Sequence, residues 1–135
     1  MRNSVFVEGN YALIEVEARY TKDKKEHKRV VIDADFLPVV ADKAGSLWQV
    51  EMKKEHYQAP KEINDIYREE KDGSKTYLRN HIIGAVEGEN VLNIDGNPLN
   101  CTYGNLFLQS EWKEDNKSLL GYHRRQNKGS GDSAK

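Results

Sequence analysis

The chain has 135 residues, of which 32% are charged and 37% hydrophobic, and its net charge at pH 7 is −1. This length fits one domain with a modest core, and two Trp, seven Tyr and three Phe exclude a wholly disordered chain. The lone Cys101 excludes an internal disulfide, and no apolar run is long enough for a membrane span or a signal peptide, so we expect a cytoplasmic protein with no membrane partner.

The first third of the chain predicts a β-hairpin and then a short helix. "YALIEVEARY" and "RVVID" are rich in aromatic and branched residues and read as paired strands. The charged turn between them, "TKDKKEHK", is typical of a solvated loop. "DADFLPVVADKAG" predicts a helix that Asp33 or Asp35 caps and that ends near Gly45.

The middle of the chain alternates short strands with turns. "SLWQVEM" and "VLNI" predict strands, and "KEINDIYREEKDGS" predicts a short helix or loop that ends in a turn at Asp72 and Gly73. "KTYLRNHIIGA" is apolar enough to be buried, and "DGNP" predicts a tight turn. "NLFLQSEWKEDN" leads into a helix or an extended arm. Together these elements predict an α+β fold in which the hairpin and the middle strands form an antiparallel sheet.

The stretch "YLRNHIIGAVEGENVLNIDGNPLNCTYGNLFL" resembles the HNH endonuclease family, and within it the phage and intron-borne homing endonucleases. The matching residues are Gly84, Ala85, Gly88, Ile94, Asp95, Gly96, Asn97, Pro98, Leu99, Asn100, Asn105 and Leu106. The resemblance implies a single domain over 1–118 with a ββα HNH-like unit at about 78–118. Residues 119–135 are basic and then rich in Gly and Ser, and we expect them to form a flexible tail. The resemblance also implies that the protein is of phage or mobile-element type and acts in the cytoplasm of a bacterial cell.

In this family the chemistry is metal-assisted phosphodiester hydrolysis, in which a histidine beside the first metal ligand activates water. By position, the first ligand falls on Leu92, which has no lone pair. The general base falls on Asn93, whose amide cannot take a proton near neutral pH. The loop-bracing asparagine falls on Asn105 and an upstream histidine on Arg79, while His81 would need a local shift to act as a substitute. The motif therefore keeps its scaffold residues and lacks its reactive ones.

Metal ligands and nucleic-acid contacts are the remaining site predictions. Hard cations favour oxygen ligands, and the candidates are Asp95, Glu114, Asp115 and Asn116. A plain turn at Asp95 and a solvated face around Glu114 compete with this interpretation. We expect no cofactor, and Mg²⁺ only if nuclease activity survives. Nucleic-acid contacts are predicted at Arg79, Asn97, Asn100, His123, Arg124, Arg125 and Lys128.

Three functions are compatible with these residues. The first is a catalytically degenerate HNH-fold protein that binds DNA. The second is a protein-interaction module that inhibits a host nuclease or defence protein, because residues 61–99 carry five Lys and Arg against eight Asp and Glu. The third is an active metal-dependent DNA endonuclease with relocated ligands, using His81 with Asp95 or Asp115. Binding without catalysis is the expected activity, with DNA or a host nucleic-acid-handling protein as partner, and the oligomeric state stays open.

Overall fold

A computed structural model describes residues 1–53, 62–86 and 88–111. The predicted α+β class with antiparallel sheets is confirmed. The strands are β1 (Val5–Glu8), β2 (Tyr11–Arg19), β3 (Lys25–Asp33), β4 (Gln49–Met52), β5 (Ile63–Glu69), β6 (Lys75–Tyr77), β7 (Val91–Asn93) and β8 (Leu106–Leu108). The helices are α1 (Leu37–Val40) and α2 (Leu78–Ile83), with 3-10 turns at Ala34–Phe36 and Tyr103–Asn105.

The predicted hairpin forms the centre of the first sheet, in the order β1-β2-β3. β2 and β3 pair along nine residues, from Tyr11 opposite Asp33 to Arg19 opposite Lys25. Every second side chain of β2 is buried, because successive residues of a strand point to opposite faces. One face of the hairpin therefore packs on the core and the other meets solvent.

The middle strands form a second sheet, β4-β5-β6, and do not extend the first one. This corrects the prediction of one sheet from the hairpin and the middle strands. Asn3 joins the two sheets with its side chain: Nδ2 donates to the carbonyls of Glu15 (3.0 Å) and Trp48 (2.9 Å), and Oδ1 accepts from the Trp48 N–H (2.9 Å). A side-chain amide thus satisfies backbone groups that direct strand pairing would otherwise satisfy.

The segment after β3 is helical for less of its length than predicted. A 3-10 turn and the four-residue α1 replace one helix running to Gly45, with Pro38 in the first turn of α1. Asp33 occupies the N-cap position, but its side chain does not cap the helix. Its Oδ2 instead accepts a hydrogen bond of 2.7 Å from the Tyr103 N–H, which attaches the far loop to the first sheet.

The segment "KEINDIYRE", predicted as a helix or loop, is strand β5. Asp65 and Arg68 lie on this strand and are both almost fully buried. The Arg68 guanidinium lies 4.8 Å from the Trp48 ring centroid and bonds Asp42 at 2.7 Å and Glu70 at 2.9 Å. The many charged residues of this segment favoured the prediction of a helix or loop. In the structure it is a strand whose buried polar side chains are paired with other groups of the protein.

β7 and β8 form a third, two-stranded sheet. Residues 109–111, the last that the structure describes, are helical. The loop between β7 and β8 is fastened to β3, because Val31 exchanges backbone hydrogen bonds of 2.8 Å with Leu99 and Cys101. The core beneath the three sheets includes Ile14, Ile32, Trp48, Ile66, Leu78 and Leu106. Among the described residues, no helix has the length and apolarity needed to span a membrane.

Candidate functional site

Asn93, to which the resemblance assigns the general-base position, lies in a hydrogen-bonded network of three side chains. Arg79 of α2 donates to Asp65 of β5 twice, from Nη2 at 2.9 Å and from Nε at 3.2 Å. The same guanidinium donates through Nη1 to Oδ1 of Asn93. Asn93 Nδ2 donates to the Asn100 carbonyl at 2.9 Å. Both polar atoms of the Asn93 amide are therefore engaged within the protein.

Local structure places Arg79 opposite this asparagine. β6 ends at Tyr77 and α2 begins at the next residue, so Arg79 lies in the first turn of the helix, beside β5. α2 ends at Gly84, which has a φ of 74°, a conformation that glycine adopts without steric cost. The short helix thus positions one cation between a buried strand and the end of β7.

Burial and charge act in opposite directions on Asp65. Its side chain is 10% exposed, and burial raises the pKa of this carboxyl while the Arg79 guanidinium opposes that shift. A carboxylate in such a place is held ionised by its partner rather than by water. Asp65, which the sequence analysis did not select, is thus the anchor of the network.

The loop after β7 is closed around Asp95. Its Oδ1 accepts from the Asn97 N–H and from Asn105 Nδ2, both at 2.9 Å, and its Oδ2 accepts from Asn100 Nδ2 at 2.9 Å. Burial raises the pKa of Asp95, but these hydrogen bonds outweigh it and lower the pKa below its ordinary value. Gly96 has a φ of 75°, as the predicted turn requires.

Asn105 holds the loop from its centre. Its Oδ1 accepts from the Asp95 N–H at 3.1 Å, and its Nδ2 also donates to the Asn100 carbonyl at 2.8 Å. The residue is 9% exposed, so these bonds are largely shielded from water. The Asn105 side chain therefore braces this loop.

Leu92, to which the resemblance assigns the position of the first metal ligand, lines an open groove of about 990 Å³ together with Arg79 and Asp65. Carboxylates outnumber the cations around this groove: Glu51, Asp65, Asp72 and Glu89 against Lys75 and Arg79. Leu92 offers no oxygen or nitrogen, and both Asp95 oxygens already accept hydrogen bonds. The described side chains at these positions therefore do not provide the ligand set of a divalent cation.

His81 of α2 lies between the two helices and also lines part of this groove. Its Nε2 is 3.0 Å from the Val39 carbonyl and 3.4 Å from Asp42 Oδ2, and its ring centroid is 6.1 Å from that of Trp48. The side chain thus packs α1 against α2, and its Nε2 does not reach Asn93 or Asp95 by a hydrogen bond. Within the described ranges, no three His, Cys, Asp or Glu side chains group closely enough to hold a metal ion.

Some of the predicted nucleic-acid contacts form hydrogen bonds within the protein, and the others lie outside the residues that the structure describes. Arg79 and Asn100 bond within the protein as described above, and Asn97 Oδ1 accepts from the Leu99 N–H at 3.0 Å. The other predicted residues lie outside the described ranges; they are the metal candidates Glu114, Asp115 and Asn116 and the basic residues His123, Arg124, Arg125 and Lys128. The structure therefore brings together Arg79, Asn93, Asp95, Asn100 and Asn105, with Asp65 added.

No family model, curated protein or solved structure matches this chain.

Proposed function

We propose that this protein is an HNH-like scaffold without cleavage chemistry and that it acts by binding double-stranded DNA. The observation that carries the first half of the proposal is the Asn93 amide, engaged by Arg79 on one side and by the Asn100 carbonyl on the other. An amide in this position can neither accept a proton from water nor turn toward a substrate without breaking both bonds.

The neighbouring positions support the same conclusion. Hydrolysis of a phosphodiester by the family's route needs an ion to neutralise the developing charge and a base to activate water. The Leu92 side chain cannot bind an ion, and hydrogen bonds from three asparagines already engage both oxygens of Asp95. Loss of either function costs orders of magnitude in rate, and among the described residues the side chains of Leu92 and Asn93 supply neither.

DNA is the proposed target because the loop of a DNA-acting motif is kept while its reactive positions are changed. Asp95, Gly96, Asn100 and Asn105 build a closed loop that is held by hydrogen bonds between its own side chains and backbone.

A protein target is the second candidate, and the groove beside Leu92 favours it. Four carboxylates against two cations around this groove repel phosphates and attract a basic surface. A host nuclease or defence protein with a basic nucleic-acid channel is the partner class that this charge would fit.

The test is one preparation of the wild-type chain, assayed for both binding and cleavage. We expect a mixed-sequence duplex to be retained at low salt and released as salt rises, and supercoiled plasmid to stay intact with Mg²⁺ or Mn²⁺. A Leu92→Asp/Asn93→His variant introduces the two groups that the family's chemistry uses. Plasmid cleavage by this variant would show that bound DNA lies over the altered site. Wild-type chain that fails to bind duplex at low salt would exclude DNA and leave the protein target.

A further inference from the structure

Positive charge is concentrated on one hairpin of the described chain. Residues 19–29, here called the hairpin tip, contain six Lys and Arg and two Asp and Glu, a formal charge of +4. The other described residues contain seven Lys and Arg and fifteen Asp and Glu, a formal charge of −8. Among the described residues, the hairpin tip is therefore the region whose net charge attracts a polyanion, while the rest has a net charge that repels one.

The shape of the hairpin fits a groove of duplex DNA. β1 pairs with β2 only from Val5 opposite Ile14 to Glu8 opposite Tyr11, so the end of the hairpin nearer its turn is a ribbon of two strands. Residues 21–27 are all exposed. The major groove is about 12 Å wide and admits a two-stranded ribbon.

The inner face of the ribbon is packed and hydrogen-bonded to the rest of the protein, so DNA binding would require little further ordering of the ribbon. Val16 and Ala18 on its inner face are buried, and Asn3 fastens the strand at Glu15 to the segment at Trp48. The turn is braced as well, because Thr21 Oγ1 accepts from the N–H groups of Asp23 (3.2 Å) and Lys24 (2.9 Å). A preorganised ribbon loses little conformational freedom on binding.

The cations of the hairpin tip remain available to phosphates. Lys22 lies in the turn and Lys24 directly after it, and neither forms an ion pair with a described residue; the Lys24 ammonium lies 5.5 Å from the centroid of the Tyr20 ring. Arg19 and Lys25 share Glu17 at 3.4 and 3.6 Å, and Lys28 pairs with Glu26 at 3.0 Å. These pairs are solvent-exposed, and exposed pairs contribute too little to compete with a phosphate backbone.

We propose that the hairpin tip is a phosphate-contacting ribbon that enters the major groove of duplex DNA, with Lys22 and Lys24 as its leading contacts. This inference rests on the proposed DNA binding and names the surface responsible for it. The sequence alone predicts that this turn is a solvated loop and that the DNA contacts lie at Arg79, in the loop at Asn97 and Asn100, and in the C-terminal segment.

The experiment compares three variants that each remove two positive charges. Lys22→Gln/Lys24→Gln alters the hairpin tip, Lys53→Gln/Lys71→Gln alters lysines elsewhere on the body, and Arg124→Gln/Arg125→Gln alters the basic C-terminal segment. Binding to a fluorescent mixed-sequence duplex of about 20 base pairs is measured between about 50 and 200 mM salt. Circular dichroism confirms that each variant is folded.

We expect the hairpin variant to bind roughly tenfold or more weakly at low salt, and its plot of log K against log salt to lose about 0.9 in slope for each lost contact. The Lys53→Gln/Lys71→Gln variant should match the wild type. Equal binding by the hairpin variant and the wild type overturns the ribbon while DNA binding stands. Wild-type chain that binds no duplex, or binds only vesicles of anionic lipid, overturns both the ribbon and the proposed function.

Discussion

Replacing Arg79 with alanine tests whether the network at Asn93 is structural. The change removes two hydrogen bonds to Asp65 and one to Asn93, and it leaves a carboxylate that is 7% exposed without its cation. Removing one partner of a buried ion pair costs about 3–5 kcal/mol. Because the Arg79 side chain is 20% exposed and water can reach part of the gap, we expect a loss of about 3 kcal/mol.

The pH dependence of this loss identifies its cause. Burial raises the pKa of Asp65, so the folded variant without Arg79 prefers the protonated carboxyl. Above the folded-state pKa of Asp65, the variant holds an unpaired buried charge and is less stable. As the pH falls through that pKa the carboxyl is protonated and stability is regained, so the loss relative to wild type should be smaller at about pH 5 than at about pH 7.

Urea unfolding followed by circular dichroism measures these differences in the free energy of unfolding. Asp65→Asn in the Arg79→Ala background is the matched control, because a neutral amide removes the buried charge, and we expect it to recover about 1–2 kcal/mol. A penalty below about 1 kcal/mol for Arg79→Ala that is unchanged between the two pH values would refute the reasoning.

Three further predictions follow from the described contacts. Asn105→Ala removes three bonds that close the loop around Asp95 and should cost about 3 kcal/mol in the same unfolding assay; a cost below about 1 kcal/mol would show that the loop closes without it. Cys101 is 1% exposed and burial raises its pKa to about 12, so a thiol reagent should label it only at the rate of opening, and rapid labelling of folded protein would contradict its burial. The Lys43 ammonium, the Thr76 hydroxyl and Arg68 lower the pKa of Glu70 to about 2 from its ordinary 4.5, so its contribution is present above about pH 4.5 and lost toward pH 2. Acid unfolding of Glu70→Gln should therefore differ least from wild type at the lowest pH, and a constant difference across this range would contradict the assignment.

Periodicity and turn chemistry predicted the parts of the fold that local forces decide. The hairpin of β2 and β3, the strand at Val91 and the turn with Gly96 at a φ of 75° agree with the sequence because each rests on neighbouring residues. The separate sheets could not be predicted in this way. They are joined by the Asn3 amide, which bonds the backbone of Glu15 and of Trp48, 12 and 45 residues along the chain.

The candidate site, like the fold, could be predicted only in part from the sequence. Sequence position identified Asn93 and Asn105, and the side-chain chemistry of Asn93 was enough to question catalysis. Asp65 was missed because it lies in a charged segment predicted as helix or loop, and only the pairing of β5 with its neighbours turns it inward toward Arg79. A carboxylate next to Ile66 in a short alternating segment was the one available signal.

Plasmid cleavage by the wild-type chain, run with Mg²⁺ and with Mn²⁺ at salt low enough for duplex binding, tests the central claim most directly. We predict that the protein binds the plasmid and leaves it supercoiled, because Asn93 is held by Arg79 and Asn100 and Leu92 has no ligand atom. Metal-dependent nicking that disappears in a His81→Ala variant would contradict the claim and establish an active nuclease with relocated residues.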